Sequence, residues 1–166
     1  MTVIAAKKDK GIITIAADSQ VTWTGGGKTY VKKLFIKNNV IYGMSGVAAD
    51  LSLLRSYLSE KQITSHKEKH IVDFISAFAS YAKMKNPDCK PLDNHYLICI
   101  NGKIITASGL FIEYHKQFSA IGSGKECALV ALDLGATAKH ACEITCKYQN
   151  TCGGKIHSLI LKGKKI

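Results

Sequence analysis

The sequence predicts an α+β fold in which two antiparallel sheets lie between layers of helix. Three observations carry this. Short apolar runs closed by turn residues fill the stretches 3–17, 32–46 and 96–107, as strands with a buried face do. Apolar residues at three- and four-residue spacing fill two blocks, 51–82 and about 125–149, as helices do. The resulting order is strands, two helices, strands, two helices, strand.

Each element follows from its residues. "VIAA" at 3–6 and "IITIAA" at 12–17 read as paired strands, with a turn over Lys8–Gly11. "TGGGKT" at 24–29 reads as a flexible connection; it lacks the GxxxxGK[ST] spacing of a phosphate loop. Within "KKLFIKNNVIYGMSG" at 32–46, two apolar runs around Lys37–Asn38–Asn39 predict a hairpin. Leu51, Leu54, Tyr57 and Leu58 mark one face of a first helix, and Ile71, Phe74, Ile75, Phe78 and Ala82 that of a second. Pro87 and Pro91 interrupt the chain. "YLICI" and "KIITA" flank an Asn101–Gly102 hairpin turn, and a strand follows near 117–121. "GSG" at 122–124 opens a third helix over about 125–134, a fourth covers about 137–149, and "IHSLIL" at 156–161 is a closing strand. A length of 166 residues with no Gly-, Ser- or Pro-rich linker suits one domain, 1–166.

Composition narrows the function classes. At 46% hydrophobic and 21% charged residues, with only 2 prolines, the chain is no disordered segment. No apolar run approaches the roughly 18 residues of a membrane span, and no secretory leader pattern is present, so a cytoplasmic protein is expected. The 23 basic against 12 acidic residues leave +11, which raises a polyanion-binding module as one reading. Against it, Arg55 is the single arginine and the lysines are scattered, so no nucleic-acid partner is expected. The 6 cysteines contain no CxxC pair. Cys142 and Cys146, four apart near His140, lack a second pair, so core-filling thiols rather than a metal site are expected. His66 and His70 in "HKEKH" depart from HExxH and read as a solvated helix face.

Five positions carry chemistry. Thr2 follows the initiator methionine; removal of Met1 would put a hydroxyl and an α-amine on one residue. An α-amine of pKa about 7.7–8.0 is substantially neutral near physiological pH and can activate that hydroxyl. Asp18 closes an apolar strand, and the Lys32–Lys33 pair enters another. An ammonium beside the amine would disfavour its protonation, with Asp18 holding that ammonium. "GMSG" at 43–46 can aim a backbone N–H at an oxyanion, and "AIGSG" at 120–124 presents a glycine-flanked serine. Each also has a plain structural use as turn acid, surface lysine, strand end or helix cap.

Taken in order, "MTVIAAKKDKGIITIAADSQVT", "KKLF", "GMSGVAAD" and "FSAIGSG" resemble the proteasome β-type N-terminal-threonine (Ntn) hydrolases. The resemblance is nearest to HslV-type peptidases and small proteasome-like proteins of phages and bacteria. It runs from Thr2 to Gly153–Gly154 and the last strand. It implies a four-layer αββα sandwich and a threonine-type endopeptidase. By this resemblance Thr2 is the nucleophile with its amine as general base, and Asp18 is the motif aspartate. The lysine falls on Lys33 by its Lys-apolar-Phe context, while counting back from the Ser-Gly pair reaches Lys32. Gly46 supplies the oxyanion N–H, Ser123 bonds near the threonine amine, and Met44 and Val21 line the substrate pocket. Neither metal nor organic cofactor is implied. A homo-oligomeric ring or double ring, fed polypeptide by an ATP-dependent unfoldase, is.

One segment departs from the family. "QNTCGG" at 149–154 has Gln149 where an aspartate supports the threonine amine and Cys152 where a serine does. A thiol is the weaker hydrogen-bond partner. A catalytically silent proteasome-like shell or interaction subunit is therefore the second reading.

Overall fold

A computed structural model describes residues 2–23 and 25–162. Strands β1 (Ile4–Asp9) and β2 (Ile12–Ala17) form the first hairpin. A short pair, β3 (Gln20–Thr22) and β4 (Lys28–Tyr30), is followed by β5 (Leu34–Lys37) and β6 (Val40–Ser45). Helices α1 (Ala48–Glu60) and α2 (Glu68–Lys85) precede β7 (His95–Ile100), β8 (Lys103–Ser108), β9 (Phe111–His115) and β10 (Phe118–Ile121). The chain continues through α3 (Lys125–Asp133), α4 (Ala138–Tyr148) and β11 (His157–Lys162).

Turn chemistry fixes three of the hairpins. Lys10–Gly11, Asn38–Asn39 and Asn101–Gly102 each place two consecutive residues at positive φ. That geometry matches the right-handed twist of the strands they join. Apart from the β3–β4 pair, the strands build two antiparallel sheets, ordered β10-β1-β2-β11 and β5-β6-β7-β8-β9. Their facing sides bury Ile4, Ile13 and Ile15 against Ile41, Leu97 and Ile104. On the outer face of the five-stranded sheet, Leu54, Ile75 and Phe78 of α1 and α2 cover Tyr42, Ile98 and Ile105. Ala128, Leu132, Ala141 and Cys142 of α3 and α4 cover Ala5, Ala16 and Ala120 of the other sheet. The αββα layering expected from the element order is thus present.

Phe78 is fully buried, its ring 5.6 Å from that of Tyr57 and 6.4 Å, edge-on, from that of Tyr96. Phe78→Ala is expected to cost about 3–5 kcal/mol, read as a lowered denaturant midpoint at unchanged slope.

The structure differs from the sequence expectation at four places. β1 continues to Asp9 instead of turning at Lys8, because tertiary bonds recruit its lysines: Lys7 Nζ donates to the Ala136 carbonyl (2.8 Å) and Lys8 Nζ to that of Gly102 (2.9 Å). The glycine run lies in the turn of the β3–β4 hairpin rather than in a free connection; Gly26 N–H donates to the Trp23 carbonyl (3.0 Å), and Thr24 lies outside the described residues. β9 has no counterpart in the sequence pattern, since it is an edge strand with little buried surface to give it an alternating signature. His66 falls in the bend before α2, so only His70 rides on the helix. Among the described residues, no helix is long and apolar enough to cross a membrane.

Candidate active site

Because β1 is flanked by β2 and β10, Thr2 sits at the end of a strand held from both sides. Its N–H donates to Ser123 Oγ (3.2 Å), and its carbonyl accepts from Gly124 N–H (3.1 Å). Gly122, at φ +97°, passes so close to the Thr2 carbonyl that any Cβ would overlap it. The next residue is pinned equally firmly. Val3 N–H donates to Asp18 Oδ1 (3.0 Å), while its carbonyl accepts from Asp18 N–H (3.1 Å).

Asp18 lies where β2 gives way to β3, and Lys33 where the chain enters β5. Both are buried, at 0% and 2% exposure, which only a paired arrangement makes tolerable. Lys33 Nζ donates to Asp18 Oδ1 (2.7 Å) and to the Gln20 carbonyl (2.6 Å). Asp18 Oδ2 also accepts from Gly153 N–H (3.1 Å), which docks the Gly153–Gly154 loop onto the site. Burial lowers the Lys33 pKa from its ordinary 10.5, and the Asp18 carboxylate opposes that shift. Lys32, the other lysine of the pair, is exposed.

The strand end after β6 supplies the third part. Gly46 has φ +150° and turns its Cα toward Asn94, so a Cβ there would overlap Asn94 Oδ1. That oxygen accepts from Val47 N–H (3.0 Å), and Asn94 Nδ2 donates to Asp50 Oδ2 (2.7 Å). The Asn94 amide therefore fixes the loop carrying the Gly46 N–H. Thr2, Val21, Lys33, Met44, Gly46 and Leu51 share the lining of one small pocket. With Asp18 bonded to Lys33, the structure brings together Thr2, Asp18, Val21, Lys33, Met44 and Gly46, and Lys32 is not among them.

The departing segment lies just behind Ser123. Gln149 ends α4, with its carbonyl accepting from Cys152 N–H (3.0 Å). The Cys152 thiol is buried, and burial together with Asp18 pushes its pKa up. Thr151 Oγ1 lies 3.5 Å from Ser123 Oγ and 3.9 Å from Cys152 Sγ. A chain of hydroxyls and a thiol therefore runs back from Thr2. Sequence reasoning missed Asn94 and Thr151. Asn94 carried no signal, because its partners are 44 and 47 residues away in the chain. Thr151 could have been noticed as the hydroxyl nearest in sequence to the absent serine.

The arrangement of two sheets, two helical layers and a site at the open end of β1 defines the fold as that of the proteasome-type N-terminal-nucleophile hydrolases. Among solved structures, Thiobacillus denitrificans BPH in complex with epoxomicin matches with TM-score 0.85 at 20% identity, covering 99% of this chain and 100% of that one. HslV from Trypanosoma brucei matches with TM-score 0.74 at 18% identity, over 97% and 99%. The Anbu Gly-1 mutant from Hyphomicrobium sp. strain MC1 matches with TM-score 0.73 at 14% identity, over 98% and 82%. No protein-family model matches the chain. No curated protein matches it either. At these identities the likeness establishes the fold, and function has to be argued from the site.

Proposed function

We propose that the chain is a threonine-type endopeptidase acting on polypeptides. The observation that carries this is the convergence on Thr2: Ser123 on its nitrogen, the buried Lys33–Asp18 pair beside it, and Gly46 in the same pocket. In this reading Met1, which lies outside the described residues, is removed, and the Thr2 nitrogen becomes an amine. The amine accepts the hydroxyl proton as Oγ attacks the peptide carbonyl. The Gly46 N–H bonds the developing oxyanion, a donor of the kind worth about 10²–10³ in rate. The leaving amine takes the proton, and water assisted by the same base releases the acyl group. Lys33 acts by charge: its ammonium holds the amine neutral near pH 7 and stabilises the negative charge that builds on Thr2 Oγ as it attacks. Met44 and Val21 shape an apolar pocket for the acyl-side residue. By analogy with the neighbouring structures, copies assemble into a cytoplasmic ring or stacked rings that confine the nucleophile, fed by an ATP-dependent unfoldase.

The test uses protein from its native host and a peptide epoxyketone, whose two electrophilic carbons suit one hydroxyl and one amine. Intact mass is expected to lack one methionine beforehand and to show a single adduct afterwards, absent in Thr2→Ala. Gln149 and Cys152 favour the silent-subunit reading instead. Retained methionine with no adduct would establish that reading and end the peptidase one.

The Lys33 shift sets a pH dependence. The ammonium is present below its lowered pKa and lost above it, so kcat/KM is expected to fall on the alkaline side below pH 10.5. Arginine keeps its charge there, so Lys33→Arg should move that limb upward. An alkaline limb identical in the two proteins would remove Lys33 from this role.

A further inference from the structure

The space between the sheets changes character along its length. In the middle it is closed by Ile4, Ile13, Ile15, Leu97 and Ile104. Toward the β9 and β10 edges it opens into a cavity of about 730 Å³, whose wall includes Ser45, Thr106, Glu113, His115 and Ser119. Strand register shows that these are inward positions. Thr106 pairs with Leu97 on β7 and Glu113 on β9, His115 pairs with Ile104, and Ser119 pairs with Ala6. A sandwich fills such positions with apolar side chains, and polar ones there are costly unless bonded. Thr106 Oγ1 and His115 Nε2 are bonded to each other at 2.7 Å. Glu113 is solvent-exposed, so the cavity wall carries polar groups within reach of a bound chain.

The cavity also has a direction. Ser45, Gly122 and Ser123 line its inner end. Gly46, next to Ser45, lines the small pocket on the other side of Thr2, together with Met44 and Val21. Thr2 lines the small pocket, and Ser123 and Gly122, which contact it, line the cavity, where Thr106, Glu113, His115 and Ser119 stand beside Phe118, Ile121 and Leu129. If the small pocket takes the acyl side, the larger cavity takes the residues beyond the scissile bond. Its volume suits several residues rather than one side chain.

Resting on the peptidase reading, we propose that this inter-sheet cavity binds the polypeptide segment on the leaving side of the scissile bond. Its Thr106–His115 wall selects hydrogen-bonding side chains there over bulky apolar ones. Burial lowers the His115 pKa from 6.5, so at neutral pH the imidazole offers hydrogen bonds rather than fixed charge. Glu113 and Lys125 at the same cavity act on it in opposite directions. A wall of this kind suits a polar peptide better than a polyanion.

The test compares three substrates with one acyl-side sequence. One ends in a fluorophore directly after the scissile bond. The other two are quenched decapeptides continuing with Ser-Gln-Thr or with Leu-Phe-Leu. The polar decapeptide should exceed the apolar one in kcat/KM by about tenfold. That ratio should collapse toward 1 in Thr106→Val and in His115→Leu, and return in Thr106→Ser. Equal loss on all three substrates, or a ratio that neither variant changes, would overturn the proposal. Should the chain cleave nothing, the peptidase reading fails separately. Fluorescence anisotropy of the labelled Ser-Gln-Thr peptide on the Thr2→Ala chain then decides the cavity: displacement by the unlabelled polar peptide supports it, and no saturable binding overturns it.

Discussion

Replacing Lys33 with methionine is expected to abolish measurable peptide cleavage and to cost about 3–5 kcal/mol of stability, the usual result of breaking a buried pair from one side. The substitution preserves volume but strands the Asp18 carboxylate at 0% exposure, with the Val3 and Gly153 N–H groups as its remaining bonds. Denaturant melts measure the loss. Adding Asp18→Asn should recover a large part of the lost stability without restoring cleavage. A double variant no more stable than Lys33→Met would show that the pair contributes by shape, not charge.

Gly46→Ala should lower kcat at least a hundredfold, the scale set by losing one oxyanion donor. The new methyl overlaps Asn94 Oδ1, and Asn94 cannot swing aside without giving up both Val47 N–H and Asp50. Positive φ adds backbone strain for any residue with a Cβ. KM should change less than kcat, since Met44 and Val21 stay in place. Fluorogenic-peptide kinetics, with a melting curve to confirm folding, measure it. Wild-type kcat in a folded Gly46→Ala protein would remove Gly46 from the mechanism.

The layers and most elements were legible because they rest on local patterns. Helix spacing in 51–82 and paired positive-φ turns such as Asn101–Gly102 need no knowledge of distant contacts. The resemblance singled out Thr2, Asp18, Lys33, Gly46 and Ser123, which the structure brings together, whereas counting along the chain reached Lys32. Illegible parts were those decided by tertiary partners. Lys7 and Lys8 resemble turn residues until Ala136 and Gly102 are found against them. Asn94 resembles a loop asparagine until it meets Gly46. The inward polar face of β9 was hidden because the strand itself was.

The bonds around Thr2 have a consequence in time. Val3 is held by Asp18, only fifteen residues on, but Thr2 itself is held by Ser123 and Gly124, and Asp18 by Gly153. β1 also waits for β10, and β2 for β11, before its open edge is paired. Synthesis delivers residues at about 5–20 per second, first to last. Thr2 is thus made more than a hundred residues before the groups that hold it. In the proposed peptidase, a growing chain carries its threonine for most of its synthesis without Ser123 and Gly124.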